Sequence, residues 1–390
     1  MAEGKPFHVY IVLGEESGDH LAADLIPSLE AECEQRGRRL RISGLAGTRM
    51  QAMGHRSLFD IEEIAVMGFS AVIGRLPKIV RRVWQTVADI LARKPDLILL
   101  IDSPDFTHAV AKRVRKKWAD AKVVNYICPS VWAWRSGRAK AMTAYVDHVL
   151  CILPFEPAAL ERLQGPCGTY IGHPLARRLS HLPEPSAQIE TDIPTLLLLP
   201  GSRRSELKLL LAIYGETLTV LRNRGVQFRT VLPAVARLRS ILEQETANWS
   251  VPVDIVYAAE NEMHFQAADA AMATSGTVAL ELALHGVPMV TGYKVDAVAR
   301  PFVGMVTTWS ALLPNLILDR LLITEEINEL VLPERMARHV EALLTDESIR
   351  QRQIAGFQDL RKAMETQEPP AVIASRVIAD VAGLSMPHPS

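Results

Sequence analysis

Two turns in the second half of the chain carry residues suited to a phosphate ester. In 195-TLLLLPGSRRSEL-207 an apolar run of strand length, Thr195 to Leu199, is broken by Pro200-Gly201, and Ser202-Arg203-Arg204-Ser205-Glu206 opens a helical pattern. A buried strand, a tight turn and a helix start leave backbone N–H groups for an anion. Ser202 adds a hydroxyl, and Arg203 adds a guanidinium whose charge-assisted hydrogen bonds match phosphate oxygens. The second turn, Thr274-Ser275-Gly276-Thr277, also stands between an apolar run and a helix, and suits the same diphosphate from another side. Glu281 lies four residues after Thr277 on the same helix face, where its carboxylate can accept from a ribose diol. A capped strand-to-helix turn with solvated charges accounts for either stretch alone. Two such turns in one half-chain favour a nucleotide.

In the first half, acids stand in the corresponding places. The run 97-LILLI-101 reads as a central parallel strand and delivers Asp102-Ser103-Pro104-Asp105 at its carboxyl end, where open α/β sheets place ligands. A carboxylate held there beside apolar walls is expected to have a raised pKa and to serve as a general base. One aspartate should cap the helix that starts near His108, and the other act. After the first strand, 8–13, comes 14-GEESGD-19, whose Glu15, Glu16 and Asp19 would repel a pyrophosphate. A neutral, hydroxyl-bearing ligand is expected there, with a solvated acidic turn as the alternative. The turn 128-CPSVWAWRSGRAKAM-142 brings together Ser130, Trp132, Trp134 and Arg135. The tryptophans either wall a sugar or acyl chain or pack in the core. His173, just before Pro174, is either catalytic or a structural hydrogen-bonder.

A different chemistry is suggested by residues 64–94. From Val66 to Arg82, apolar Met67, Phe69 and Ile73 stand beside Arg75, Lys78, Arg81 and Arg82. Such a patch fits an anionic membrane surface, or a loop tucked into the core. Val80, Val83, Val87, Ile90 and Leu91 then form a helical stripe for packing on a sheet.

These side chains need two scaffolds. The chain has 390 residues, 48% of them hydrophobic, which exceeds one ordinary core and can bury two. Strands are expected at 8–13, 40–47, 97–101, 122–127 and 148–153, then at 195–199, 228–233, 253–257, 270–274 and 287–293, in two parallel α/β sheets. The expected division is a first domain over 1–180, a linker over 181–194, a second domain over 195–350, helices over 351–384 packing back on the first domain, and a disordered tail over 385–390. Net charge is −1, with no basic stripe, which gives no support to nucleic-acid binding. Cys33, Cys128, Cys151 and Cys167 show no paired metal spacing and read as reduced thiols of a cytosolic protein. Neither a signal peptide nor a membrane span is expected.

The ordered set of motifs is the most specific feature. Gly14-Glu-Glu-Ser-Gly-Asp19, Met67-Gly68, Asp102-Ser-Pro-Asp-Phe106, Pro129-Ser-Val-Trp-Ala-Trp-Arg135, Leu153-Pro-Phe-Glu156, Gly172-His-Pro174, Leu199-Pro-Gly-Ser-Arg203, Ser275-Gly-Thr277 with Glu281, and Leu313-Pro-Asn315 together resemble the lipid-A-disaccharide synthases, from about residue 9 to 320. The resemblance implies a GT-B fold, with two Rossmann-like domains whose parallel sheets face across a cleft. It implies an inverting transfer from UDP-2,3-diacylglucosamine to 2,3-diacylglucosamine 1-phosphate, giving a β-1,6-linked disaccharide 1-phosphate and UDP. Asp102 is then the first choice of base for the acceptor hydroxyl, with Glu15 and Asp105 behind it. Ser202, Arg203, Ser275, Gly276, Thr277, Glu281 and Asn315 would hold the donor nucleotide. Ser17, Met67, Phe69, Arg82, Ser130, Trp132 and Trp134 would serve the acceptor and the inner-membrane surface, with the enzyme on the cytoplasmic side. No D-x-D occurs, so neither a metal nor an organic cofactor is expected. A UDP-sugar 2-epimerase keeps the same fold and is the alternative enzyme. A two-domain small-ligand binding protein is the non-enzymatic one.

Overall fold

A computed structural model describes residues 5–64, 69–175, 181–182, 189, 193–258, 261–295 and 304–385, with backbone only for 69–75. Met1–Pro174 with Thr366–Ser390 form one compact unit, and Leu175–Glu365 form a second. The expected linker lies largely outside the described residues, as does the expected tail beyond 385.

The first unit is a six-stranded, all-parallel sheet in the order β2-β1-β3-β4-β5-β6. Its strands are β1 (Phe7–Leu13), β2 (Leu40–Gly44), β3 (Leu97–Ile101), β4 (Val123–Tyr126), β5 (His148–Cys151) and β6 (Cys167–Tyr170). Helices cover the faces, so β1 and β3 are buried along their whole length and need no polar face. Each large apolar side chain so buried contributes about 1.5–3 kcal/mol. That outweighs the roughly 1–2 kcal/mol per residue expected for the left-handed backbone at Asp102 (φ 55°) and Ser103 (φ 42°) just beyond β3. The chain leaves β1 towards β2 on one side and towards β3 on the other. The loops after β1 and β3 therefore part at a topological switch point, where such sheets bind ligands.

The second unit repeats the plan in the order β12-β11-β10-β7-β8-β9. Its strands are β7 (Thr195–Leu199), β8 (Arg229–Ala234), β9 (Asp254–Tyr257), β10 (Ala270–Ala273), β11 (Met289–Tyr293) and β12 (Thr324–Ile327). Here the switch point falls between β7 and β10, the strands that precede the two phosphate-suited turns. The short edge strands β6 and β12, absent from the sequence expectation, are only half-buried or partly polar. Neither shows the apolar run that marks an inner strand.

Helix Glu347–Met364 groups with the second unit, where Ile354, Phe357, Leu360 and Met364 join the core formed by Leu280, Ala283 and Leu284. Only the last helix, Pro370–Val381, joins the first unit. Its Ala374 and Ile378 pack into the core containing Leu25 and Leu29, and Arg36 holds Asp380 at 2.8 Å. The crossing thus comes at Thr366, fifteen residues later than the expected 351.

Candidate active site

In the first unit the two switch-point loops touch. Ser17 Oγ donates to Asp102 Oδ2 at 2.8 Å, and the Ser103 N–H donates to Asp102 Oδ1 at 2.7 Å. Gly14 permits the approach, because a Cβ there would lie 2.6 Å from Ser103 Cβ. Burial first, and the neighbouring Asp102 charge second, push the Glu15 carboxyl above its ordinary range, with the Ser103 hydroxyl working against them. The raised carboxyl identified here is thus Glu15, on the β1 loop.

Neither aspartate caps the helix. It starts at Pro104, its N-cap is Ser103 without a side-chain bond, and proline at the first position needs no N–H acceptor. Asp105 is almost fully exposed and lies 3.6 Å from Arg138. Of the other acids of the β1 loop, Glu16 is exposed and Asp19 is not. Asp19 is fully buried and accepts the N–H groups of Gly47, Arg49 and Met50, while Glu16 accepts from Thr48.

Asp102, Ser130 and Trp134 line one cavity of about 220 Å³, together with Asn125, Cys128 and Arg138. Behind it, His108 Nε2 lies 3.1 Å from Asn125 Oδ1, and the Asn125 amide donates to the Ile127 carbonyl at 2.7 Å. Ile127 has φ 74°, an uncommon left-handed conformation for a β-branched residue, and this bond helps to hold it. Burial pushes His108 down to about 4, so the ring stays neutral near pH 7. His173 is likewise buried and pushed down to about 4 by desolvation, which makes it a poor proton carrier near neutrality.

Trp132 does not line this cavity. Its indole N–H donates to Glu156 Oε1 at 3.1 Å and its ring packs edge-on against Phe155 at 4.9 Å. It is half-buried, and its indole N–H is already paired within the protein. Glu156 is buried and pushed up to about 7 by desolvation, against the three N–H groups it accepts.

The membrane patch also changes composition. Met67 lies outside the described residues, and of Phe69 only its place in helix Phe69–Arg93 is described. Arg82 faces inwards: its guanidinium grips both oxygens of Glu63, at 2.6 Å for the shorter pair, and stacks over Phe59. Val80 leaves the expected core stripe, which keeps Val83, Val87 and Ile90. Leu76, Val80 and Trp84, spaced by four residues, form an exposed apolar row. Arg113 and Lys117 of helix Pro104–Lys117 each lie 5.3 Å from the Trp84 ring centre.

In the second unit the two turns differ. At the first, Glu206 reaches back and its Oε2 accepts the N–H groups of Ser202 (2.9 Å) and Arg203 (3.2 Å). The expected free amides are therefore occupied by the protein's own carboxylate. The signal was present, since a glutamate at the third helical position is half of a capping box. Gly201, at φ 118°, leaves the room that Glu206 occupies. The Arg203 guanidinium stays 75% exposed and meets Glu206 at 3.2 Å. Arg237, which the sequence did not single out, fixes the loop from below by donating to the Ser202 carbonyl at 3.0 Å. At the second turn Gly276 has φ 132° and caps helix Thr277–His285 without a side-chain bond. Among the described residues, nothing accepts the N–H groups of Thr277 and Val278. These N–H groups stand open at the helix start, with Ser275 beside them and Glu281 one turn further on.

Asn315 is excluded as a ligand contact. It is fully buried, its amide donates to the Ile323 carbonyl and Glu325, and its oxygen accepts the N–H groups of Leu322 and Ile323. All its hydrogen-bonding capacity is spent on tying helix Leu313–Ile317 to β12.

The pattern of the Lipid-A-disaccharide synthetase family matches residues 9–374. A lipid-A-disaccharide synthase of Rhodopseudomonas palustris is 43% identical over 382 residues, covering 96% of each chain. Among solved structures, MurG of Acinetobacter baumannii superposes with a TM-score of 0.59 at 13% identity, covering 96% of this chain and 100% of its own. The UDP-GlcNAc 2-epimerase of Neisseria meningitidis bound to UDP-GlcNAc gives 0.58 at 11% identity, covering 96% and 98%. At these identities the two structures show a shared GT-B fold and no more.

Proposed function

The chain belongs to the lipid-A-disaccharide synthase family, glycosyltransferases of lipid A biosynthesis, and from that premise we propose how its own residues carry the reaction. The donor is UDP-2,3-diacylglucosamine and the acceptor 2,3-diacylglucosamine 1-phosphate. The acceptor 6-hydroxyl oxygen attacks the anomeric carbon, its proton passes to Asp102, and the bond to the diphosphate breaks with its electron pair leaving on UDP. The observation that carries this assignment is the Ser17–Asp102 hydrogen bond, which fixes one carboxylate oxygen at the rim of the Trp134 cavity. A base must be positioned before its basicity matters.

The leaving diphosphate needs fixed positive charge where negative charge develops. Arg203 and the open N–H groups of Thr277 and Val278 are assigned that role, Ser202 and Ser275 add hydroxyls, and Glu281 is assigned to the ribose. A uridine diphosphate sugar as donor is supported by the UDP-GlcNAc bound to the epimerase of the same fold. The test is incubation of the pure protein with both acylated substrates. UDP and a disaccharide 1-phosphate should appear together. Conversion of UDP-GlcNAc alone to its 2-epimer, with no disaccharide, would refute the assignment.

Both substrates carry acyl chains, so the enzyme is assigned to the cytoplasmic surface of the inner membrane. Among the described residues no helix is long and apolar enough to cross a bilayer. The exposed row Leu76, Val80 and Trp84, with Arg81, Arg113 and Lys117 nearby, suits an anionic leaflet. Leu76→Ser with Trp84→Ser should cut co-sedimentation with phosphatidylglycerol vesicles by about tenfold, as expected for ~1–2 kcal/mol of lost insertion. Arg82→Ala should instead lower thermal stability. Unchanged sedimentation of the double variant would remove this face as the membrane contact.

A further inference from the structure

We propose that Cys128, Cys151 and Glu156 form a site for a divalent cation of the zinc class. Their ligand atoms all lie within 4.8 Å of one another, and all three residues are buried. A tetrahedral zinc with bonds of roughly 2.0–2.3 Å sets neighbouring ligands about 3.3–3.8 Å apart. Closing onto an ion therefore asks for side-chain shifts of about 1 Å. Two thiolates with one carboxylate form a donor set that selects zinc over magnesium or calcium.

The backbone delivers these ligands rigidly. Cys151 ends β5 and Cys128 lies two residues past β4, its parallel neighbour. The Ile127 N–H donates to the Leu150 carbonyl at 3.1 Å and continues the pairing between them. Glu156 opens helix Glu156–Arg162. Its orientation is already set from outside: Oε2 accepts the N–H groups of Ile152 and Leu153 at 3.0 Å, and Oε1 accepts only the Trp132 indole. Metal-bound carboxylates are typically held in this way, and Oε1 keeps a lone pair for an ion.

Charge makes the same case. With all three ligands ionised the site carries three negative charges, and among the described residues no basic side chain pairs with Glu156. A buried carboxylate without a counter-charge is expensive, and a divalent cation offsets most of the deficit. Cys128 also lines the cavity shared with Asp102 and Trp134, so water can reach a fourth coordination position. The ion would tie the loop that carries Ser130 and Trp134 to the end of β5. Sequence spacing could not reveal it, because Cys128 follows one strand while Cys151 ends its neighbour.

The test uses the full chain, purified under reducing conditions and stripped of metal. Titration with Co²⁺ should give a thiolate-to-cobalt charge-transfer band saturating near one equivalent, and Zn²⁺ should abolish it. Cys151→Ser should weaken Co²⁺ binding at least tenfold and Glu156→Gln by about tenfold, each with an unchanged far-ultraviolet spectrum. The unmutated chain decides the matter even if a variant fails to fold. Absence of the band while all four thiols titrate as reduced would overturn the proposal. So would two missing thiols, which would mark a Cys128–Cys151 disulfide instead. A band that persists unchanged in Cys151→Ser would place the metal elsewhere.

Discussion

Asp102→Asn is expected to lower kcat by about 10²–10⁴-fold, the usual worth of a positioned general base, while UDP still binds the folded protein. The amide keeps the shape of the side chain: its oxygen can still accept from the Ser103 N–H and its NH2 can donate to the Ser17 hydroxyl oxygen, so the two loops stay joined. What it loses is the lone pair that takes the hydroxyl proton. Glu15 is the natural competitor, and the two variants separate the roles. Burial and the Asp102 charge raise the Glu15 carboxyl, so ionisation of Glu15 is lost as pH falls through a value above the ordinary carboxylate range. If Glu15 were the base, Glu15→Gln would be the crippling change and the acid limb of kcat/KM would start at that raised value. With Asp102 as the base, Glu15→Gln should lower kcat by no more than about tenfold. Near-normal turnover of Asp102→Asn across the pH range would remove Asp102 from the reaction.

Arg203→Ala is expected to lower kcat by about 10²–10³-fold with little change in acceptor KM, comparable to removing one donor from an oxyanion site. The guanidinium is largely exposed, and its 3.2 Å pair with Glu206 is of the kind worth about 0.2–1 kcal/mol. A diphosphate can therefore recruit it at small cost. The fold does not need it, because Glu206 caps the helix through the Ser202 and Arg203 amides, which the alanine variant retains. A rise in donor KM with kcat unchanged would instead mean uniform binding of substrate and transition state. Lysine at 203 should rescue only in part, since a point charge cannot make the bidentate contact.

Legibility of the chain followed the physics of each signal. Fully buried parallel strands such as Leu97–Ile101 are continuous apolar runs, so the two sheets and the loops at their carboxyl ends stood out directly. The family motifs lie at those loops, and the switch points of both sheets fall beside them. Edge strands such as Thr324–Ile327 did not stand out, because half their surface needs no apolar residue. Residue roles were harder than positions. Asn315, Trp132 and Arg82 have the chemistry of ligand contacts, yet each spends it inside the protein on Ile323, Glu156 and Glu63 respectively. Sequence shows a polar group but not the neighbour that satisfies it. Glu206 is the converse case, a residue passed over as part of a helix start that fills the amides assigned to phosphate. The long-range partnership of Cys128 with Cys151 is set by strand order, which spacing along the chain does not encode.

The assignment of the diphosphate to the second unit is tested most directly by a crystal structure with UDP bound. The pyrophosphate should rest on the N–H groups of Thr277 and Val278, with the Arg203 guanidinium turned from Glu206 onto its oxygens and the ribose hydroxyls facing Glu281. UDP bound with its phosphates against the Glu15 and Asp102 loops, or anywhere away from the 275–277 turn, would contradict it.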